Sequence, residues 1–362
     1  MSAFEKLNQW LTTEAQEAIL VTKPENIGYL TGFWGSFGMY LQTQSGGRYL
    51  LTDGRYAVLA TKLALKNNFK FICFKGEAPA DFIQAVKADM CIEDTLSLAE
   101  LSRLKKWFAG VDINVKTGVI EQFRKVKTAA ELQIMREAQA HVDKILLPFI
   151  KANLKTGVSE AQLKFKLDQV LRGEGKFGLS FESIVGFSEG SALPHYESGE
   201  RTLKIGDNIL IDCGVIDRKY CSDMTRNFVF DSVDKSYIED YAILLQSQNK
   251  TLQQVKTGVK ARDLDLACRS DLGDLADLFV HSLGHGVGLE IHEAPTLSKK
   301  SEDILQTNEV VTVEPGIYRP NEYGIRIEDS LVVLPDGAEI LTKTTKELLS
   351  FDEAGNVQVL VP

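Results

Sequence analysis

Four carboxylates sit where this chain otherwise reads as buried strand, and that conflict limits what it can fold into. Asn208 to Phe230 and Glu309 to Leu334 are rich in Ile, Val, Tyr and Phe, which predicts two strand pairs. The first holds Ile209-Leu210-Ile211-Asp212 and Ser222-Asp223-Met224-Thr225-Arg226. A turn centred on Asp217-Arg218 sets Asp212 directly opposite Asp223. The second holds Val311-Thr312-Val313-Glu314 and Ile325-Arg326-Ile327-Glu328. A turn centred on Asn321 sets Glu314 opposite Glu328, with a bulge or edge at Pro315. Facing residues of a hairpin have Cβ atoms about 4.5–5.5 Å apart, a spacing at which like charges destabilise. One such pair is tolerable on a wet surface. Two pairs in apolar strand sequence call for compensating cations.

The histidines point the same way. The chain has 5, and three of them fall between His281 and His292 in His281-Ser282-Leu283-Gly284-His285-Gly286-Val287-Gly288-Leu289-Glu290-Ile291-His292. A lone histidine is ordinarily a core or surface residue. Three so close, among glycines that let backbone approach, form a site. The zinc-protease helix HExxH does not fit, because Ser282 stands where the glutamate belongs and the glycines break a helix. Four carboxylates and one imidazole are mostly hard oxygen ligands. They suit two divalent cations, with manganese first and cobalt or zinc as alternatives. Four negative charges balance two such ions, which leaves the pair able to hold a bridging hydroxide and to stabilise a developing oxyanion.

The rest of the chain fills in the frame. Its 362 residues suggest two domains. Strand-like Glu17 to Thr22, Arg48 to Thr52 and Phe69 to Phe74, with a helix from Tyr56 to Leu65, predict an α/β unit over 1–125. Thr128-Ala129-Ala130-Glu131 is a capping box near the boundary. Leu132, Met135, Ala138, Val142 and Ile145 follow at helical spacing. A second box, Ser159 to Gln162, opens a helix with Leu163, Leu167, Val170 and Leu171 on one face, closed by Gly173. Further helices are expected over Lys235 to Lys256 and Ala261 to Phe279, so 126–362 reads as α+β. The net charge of −9 argues against nucleic acid, which needs clustered positive charge. No apolar run is long enough to cross a bilayer, and no signal peptide is expected at the N-terminus. Five scattered cysteines without a CxxC pair suit a reduced, cytoplasmic protein.

Two motifs mislead. Gly186-Phe187-Ser188-Glu189-Gly190 fits the GxSxG elbow of serine hydrolases, but Pro194 and Gly199 interrupt the helix that should follow. Gly173-Glu174-Gly175-Lys176-Phe177-Gly178 fits GxGxxG, yet it closes a helix and leads into a strand, so it reads as a turn.

Taken together, Leu193-Pro194-His195, Ile211-Asp212-Cys213-Gly214, Ser222-Asp223-Met224-Thr225-Arg226, His281-Ser282-Leu283-Gly284-His285-Gly286, Ile291-His292-Glu293, Val313-Glu314-Pro315-Gly316 and Ile325-Arg326-Ile327-Glu328-Asp329 resemble the pita-bread metallopeptidases. That group includes aminopeptidase P, prolidase and methionine aminopeptidase. Tyr29-Leu30-Thr31-Gly32-Phe33 and Thr52-Asp53-Gly54-Arg55-Tyr56 resemble the creatinase-type N-terminal domain, which argues against a simple methionine aminopeptidase. The resemblance implies a creatinase-like domain followed by a pita-bread domain. It implies that Asp212 chelates one metal, Asp223 and Glu328 bridge both, and His285 and Glu314 complete the second. Glu314 is then also the acceptor of the water proton. His195, His281 and His292 would line the pocket and hold the substrate, and Arg326 would orient a carboxylate. The full ligand set counts against creatinase activity and against a non-catalytic binding protein. The expected reaction is hydrolysis of an Xaa-Pro bond, by an Xaa-Pro aminopeptidase or alternatively by an Xaa-Pro dipeptidase acting only on dipeptides. A homodimer is expected, with Trp34 and nearby aromatics serving either an interface or the core.

Overall fold

The structure, a computed structural model, describes residues 2–77 and 79–362. Cα packing divides the chain into two units, Met1–Arg124 and Lys125–Pro362.

The first unit is built on six strands. Ala18–Val21 lies at the middle, flanked on one side by Met39–Thr43, Arg48–Asp53 and Lys70–Phe74 and on the other by Asp89–Glu93 and Asp112–Lys116. The 39–43 strand pairs antiparallel with both neighbours, while the outer pairs are parallel. Every residue of Ala18–Val21 is buried, because helices cover both faces of the sheet. Helix Ala57–Asn67 connects two parallel strands, as a crossover must.

The second unit repeats one plan twice. One five-stranded sheet contains the antiparallel pair Asn208–Cys213 and Met224–Phe230. Helices Ala129–Asn153 and Glu160–Leu171 pack on it through Val142, Leu146, Leu163 and Leu167, all at 0% exposure. The other five-stranded sheet contains Val310–Val313 and Asp329–Leu334. Helices Lys235–Gln254 and Ala261–Leu272 pack on it through Tyr241, Leu244, Leu264 and Cys268. Both capping boxes form, at Thr128/Glu131 and at Ser159/Gln162. Val170, expected on the buried face of its helix, is 43% exposed; Leu163, Leu167 and Leu171 are buried there, with Glu160 and Asp168. The expected helix over Ala261 to Phe279 ends at Leu272, where Gly273 adopts a φ of 55° and a 3₁₀ segment continues to Leu278. No helix among the described residues is long and apolar enough to cross a membrane.

The register of the first hairpin differs from expectation. Its central turn residues are Arg218 and Lys219, both at positive φ (45° and 80°), rather than Asp217 and Arg218. Asp217 pairs with Tyr220, and Asp212 therefore faces Thr225, not Asp223. Positive φ at both central residues makes this a type I′ turn, and here neither glycine nor asparagine supplies the signal. In the second hairpin Arg319 pairs with Tyr323 around Asn321 (φ 62°), which is the expected register.

Candidate metal centre

Three of the four acids, Asp223, Glu314 and Glu328, lie at an interruption in their ladder, while Asp212 pairs with Thr225 just before one. In the second hairpin, pairing runs through Val313↔Asp329, stops, and resumes at Gly316↔Arg326. Pro315 has no N–H to donate. The Glu314 N–H turns to Leu283 O at 2.8 Å, and the Glu328 N–H crosses to Thr225 O of the first hairpin at 3.3 Å. In the first hairpin, pairing stops between Cys213↔Met224 and Ile216↔Cys221, leaving Gly214 and Asp223 at the gap. A Cβ on Gly214 would lie 2.0 Å from Ser222 O, so only glycine fits. Gly284 is held the same way, 2.1 Å from Thr312 O, which seats the short strand carrying His285.

A cavity of about 540 Å³ opens at these breaks, lined by all nine residues singled out from the sequence. Ligand atoms of Asp223, His285 and Glu328 lie within 4.8 Å of one another. His285 Nε2 is 3.2 Å from Glu314 Oε1 and 3.6 Å from Asp223 Oδ2. Its Nδ1 faces Gly286 O at 3.0 Å, which places the proton on Nδ1 and turns Nε2 toward the acids. Arg326 Nη2 donates to Asp212 Oδ2 at 2.7 Å and its Nε to Thr225 Oγ1 at 3.1 Å. Thr225 in turn donates to Glu328 Oε2 at 2.7 Å. Thr312 donates to Glu314 Oε1 and receives the His285 N–H.

The electrostatics are those of a crowded acid cluster. Burial pushes Asp223 and Glu328 well above the usual carboxylate range, and the neighbouring carboxylates push them further. Asp212 is also raised by burial, with Arg326 opposing. Burial acts to raise Glu314 too, but the hydrogen bond and charge of His285 outweigh it and bring it to about 2. Burial would lower His285, but Glu314 and Glu328 take it up to about 9. Asp212 Oδ1 and Glu328 Oε1 are buried with no hydrogen-bond partner. A buried carboxylate oxygen left so costs several kcal/mol unless a cation meets it. The donor set is four carboxylates and an imidazole, so divalent ions fit what the residues offer.

The four cavity histidines differ in their freedom. His281 is tied at both nitrogens, Nδ1 to Ser282 O and Nε2 to Tyr318 Oη, each at 2.9 Å. Tyr318 Oη also accepts from Arg326 Nη1 at 2.7 Å. His195 and His292 have no hydrogen bond with the described residues, and both are exposed at the cavity. The His292 ring stands edge-on to His285 at 4.4 Å. Burial and the positive charge of His285 push His292 down. The remaining histidine, His141, stacks on Phe177 away from the cavity. Ser188 lies in a three-residue 3₁₀ turn at φ 39° and donates to Asp207 Oδ1, so no nucleophile elbow forms there.

The sequence alone assigns no role to Thr225, Thr312 or Tyr318. The signal for the threonines was the period-two alternation, since Asp223/Thr225 and Thr312/Glu314 are same-face neighbours along their strands. The misplaced first turn concealed that Thr225 faces Asp212.

Comparison with known proteins identifies the family. The profile of Metallopeptidase family M24 matches residues 133–335, and that of the Creatinase/Prolidase N-terminal domain matches 4–126. An Xaa-Pro dipeptidase of Pyrococcus furiosus is 31% identical across 95% of this chain and 99% of its own length. The solved structure of an Xaa-Pro dipeptidase from Bacillus anthracis superposes with a TM-score of 0.91 at 31% identity, covering 96% of this chain and 99% of that one. An X-Pro aminopeptidase from Thermotoga maritima superposes with a TM-score of 0.84 at 30% identity, covering 97% and 100%. With a creatinase-type N-terminal domain ahead of a pita-bread domain, the chain belongs to metallopeptidase family M24.

Proposed function

We propose that this chain is an Xaa-Pro exopeptidase working with two divalent ions, manganese in the cell, held by Asp212, Asp223, His285, Glu314 and Glu328. The observation that carries this reading is the pair of buried, partnerless carboxylate oxygens, on Asp212 and Glu328, in one cavity with His285. When bound, the ions would supply Lewis acidity toward the scissile carbonyl and acidify the attacking water.

The chain's own residues do the rest. Glu314, ionised and fixed by Thr312 and His285, accepts the water proton at a carboxylate oxygen. His195 and His292 have free ring nitrogens to hold the substrate and donate to the developing oxyanion. Tyr318, kept a phenol by burial and pushed up to about 12, donates to His281 Nε2 and accepts from Arg326. That chain locks Arg326 against Asp212.

Dipeptides are the first substrate class by similarity, because the Pyrococcus furiosus and Bacillus anthracis relatives bear the dipeptidase name. Longer Xaa-Pro peptides are the second reading, favoured by the name of the Thermotoga maritima relative, an X-Pro aminopeptidase. Rates on an Xaa-Pro dipeptide and an Xaa-Pro-Yaa tripeptide separate them: a dipeptidase leaves the tripeptide intact. Five cysteines scattered through the sequence without a CxxC pair, four of them buried, support a reducing, cytoplasmic setting. Val58 and Leu65, 89% and 84% exposed on one helix, support a homodimer, which light scattering tests.

A further inference from the structure

The break that frees Glu314 and Glu328 for the cavity also leaves backbone carbonyls to be satisfied from elsewhere. Arg226 Nη1 takes Glu328 O, and one side chain takes two others. Gln248, on helix Lys235–Gln254, is 0% exposed and has no place in the cavity lining. Its Nε2, with two N–H groups to share, lies 3.2 Å from Val313 O, 3.3 Å from Ile327 O and 3.3 Å from Asp329 Oδ2. Lys346 Nζ, 2.8 Å from Oε1, fixes which end of the amide faces them. The three acceptors belong to residues immediately next to Glu314 and Glu328, one on the first strand and two on the second. A glutamine that merely filled the core would have no reason to bracket both acids.

The other hairpin solves the same problem in the same way. Ser180 Oγ, again from outside the hairpin, lies 2.8 Å from Val215 O and 2.9 Å from Ser222 O, next to Gly214 and Asp223. In both hairpins a donor from another element caps the carbonyls beside the gap, where regular pairing lapses and only single backbone bonds (Ile327 N–H to Pro315 O, Ser222 N–H to Val215 O) cross. We propose that Gln248 is a positioning residue: it spans the broken ladder so that Glu314 and Glu328 present their carboxylates to divalent cations at a fixed separation. This rests on the reading of those two acids as metal ligands. Groups that orient ligands without touching the metal typically change affinity or activity by about 10- to 100-fold when removed.

The test is titration of chelator-stripped protein with manganese(II) alone, in wild type, Gln248→Met and Gln248→Glu, followed by kinetics on an Xaa-Pro dipeptide. Gln248→Met keeps the length and loses the donor. Gln248→Glu also loses the donor but keeps an oxygen for Lys346, and whichever variant retains the wild-type circular dichroism spectrum is the one whose manganese affinity is read. The expected result is manganese binding about 10- to 100-fold weaker, with kcat reduced, KM nearly unchanged and a wild-type circular dichroism spectrum at the titration temperature. A lower melting temperature with wild-type manganese affinity would mean a purely structural glutamine and overturn the proposal. Wild-type protein that takes up no manganese would instead overturn the metal reading itself.

Discussion

Glu328 and Asp329 are consecutive, acidic and each 1% exposed, yet their surroundings are opposite. Strand alternation points Glu328 into the cavity and Asp329 into the packed interior behind it. Asp329 receives Arg226 at 2.7 Å, Lys346 at 2.9 Å and Gln248 at 3.3 Å. Burial would raise its pKa, but the charges of Arg226 and Lys346 outweigh it and hold the carboxyl below the usual range. Glu328 has one neutral donor, Thr225, an oxygen with no partner, and acidic neighbours that push its pKa up. Where the protein needs an acid for structure it supplies the cations. Where it withholds them, the counter-charge is to come from solution.

The largest expected effect is on the uncompensated side. Glu328→Gln should abolish manganese retention and lower kcat/KM on an Xaa-Pro substrate by on the order of 10³-fold. Chelator-stripped Glu328→Gln should unfold in denaturant no more easily than stripped wild type, since a poorly tolerated charge has been removed. Asp329→Asn should do the reverse. It leaves Arg226, a fully buried cation, without its carboxylate, and should cost about 3–5 kcal/mol in the same unfolding experiment. Equal stability losses for the two variants would break the comparison.

How far the sequence discloses this contrast depends on the residue. The acids, the histidine cluster and both capping boxes are legible because each departs sharply from the pattern around it. The second hairpin's register is legible because Asn321 tolerates positive φ. The first is not, because Arg218 and Lys219 adopt positive φ, which neither residue favours. Gln248 and Thr225 are silent in the sequence. A glutamine on a helix and a threonine on a strand look ordinary until the elements they bridge are placed. The same limit applies to Val170, whose helical spacing is right but whose position lies past the edge of the covered face.

A smaller effect sharpens the comparison through pH. Asp207 is another compensated acid: burial would raise it, but Arg201, the Lys204 N–H and Ser188 together hold it below its ordinary value of 3.8. A carboxyl lowered on folding contributes stability above its unfolded pKa and loses it as pH falls through the lower folded value. Wild type should therefore lose stability as pH drops below about 3.8, and Arg201→Met should lose less over that window in a melting-temperature series. The smallest effect concerns Ser188. Ser188→Ala removes one hydrogen bond to Asp207 and should cost about 1 kcal/mol while leaving kcat/KM unchanged. Loss of turnover there would revive the serine-hydrolase reading.

The most direct test of the central claim is a titration of chelator-stripped protein with manganese(II) in which bound metal and Xaa-Pro hydrolysis are followed together. Convergence of Asp212, Asp223, His285, Glu314 and Glu328 on a pair of ions predicts about two equivalents bound per chain, with activity absent at the start and restored as the sites fill. Hydrolysis at near full rate by the stripped protein, or no uptake of metal, would contradict it.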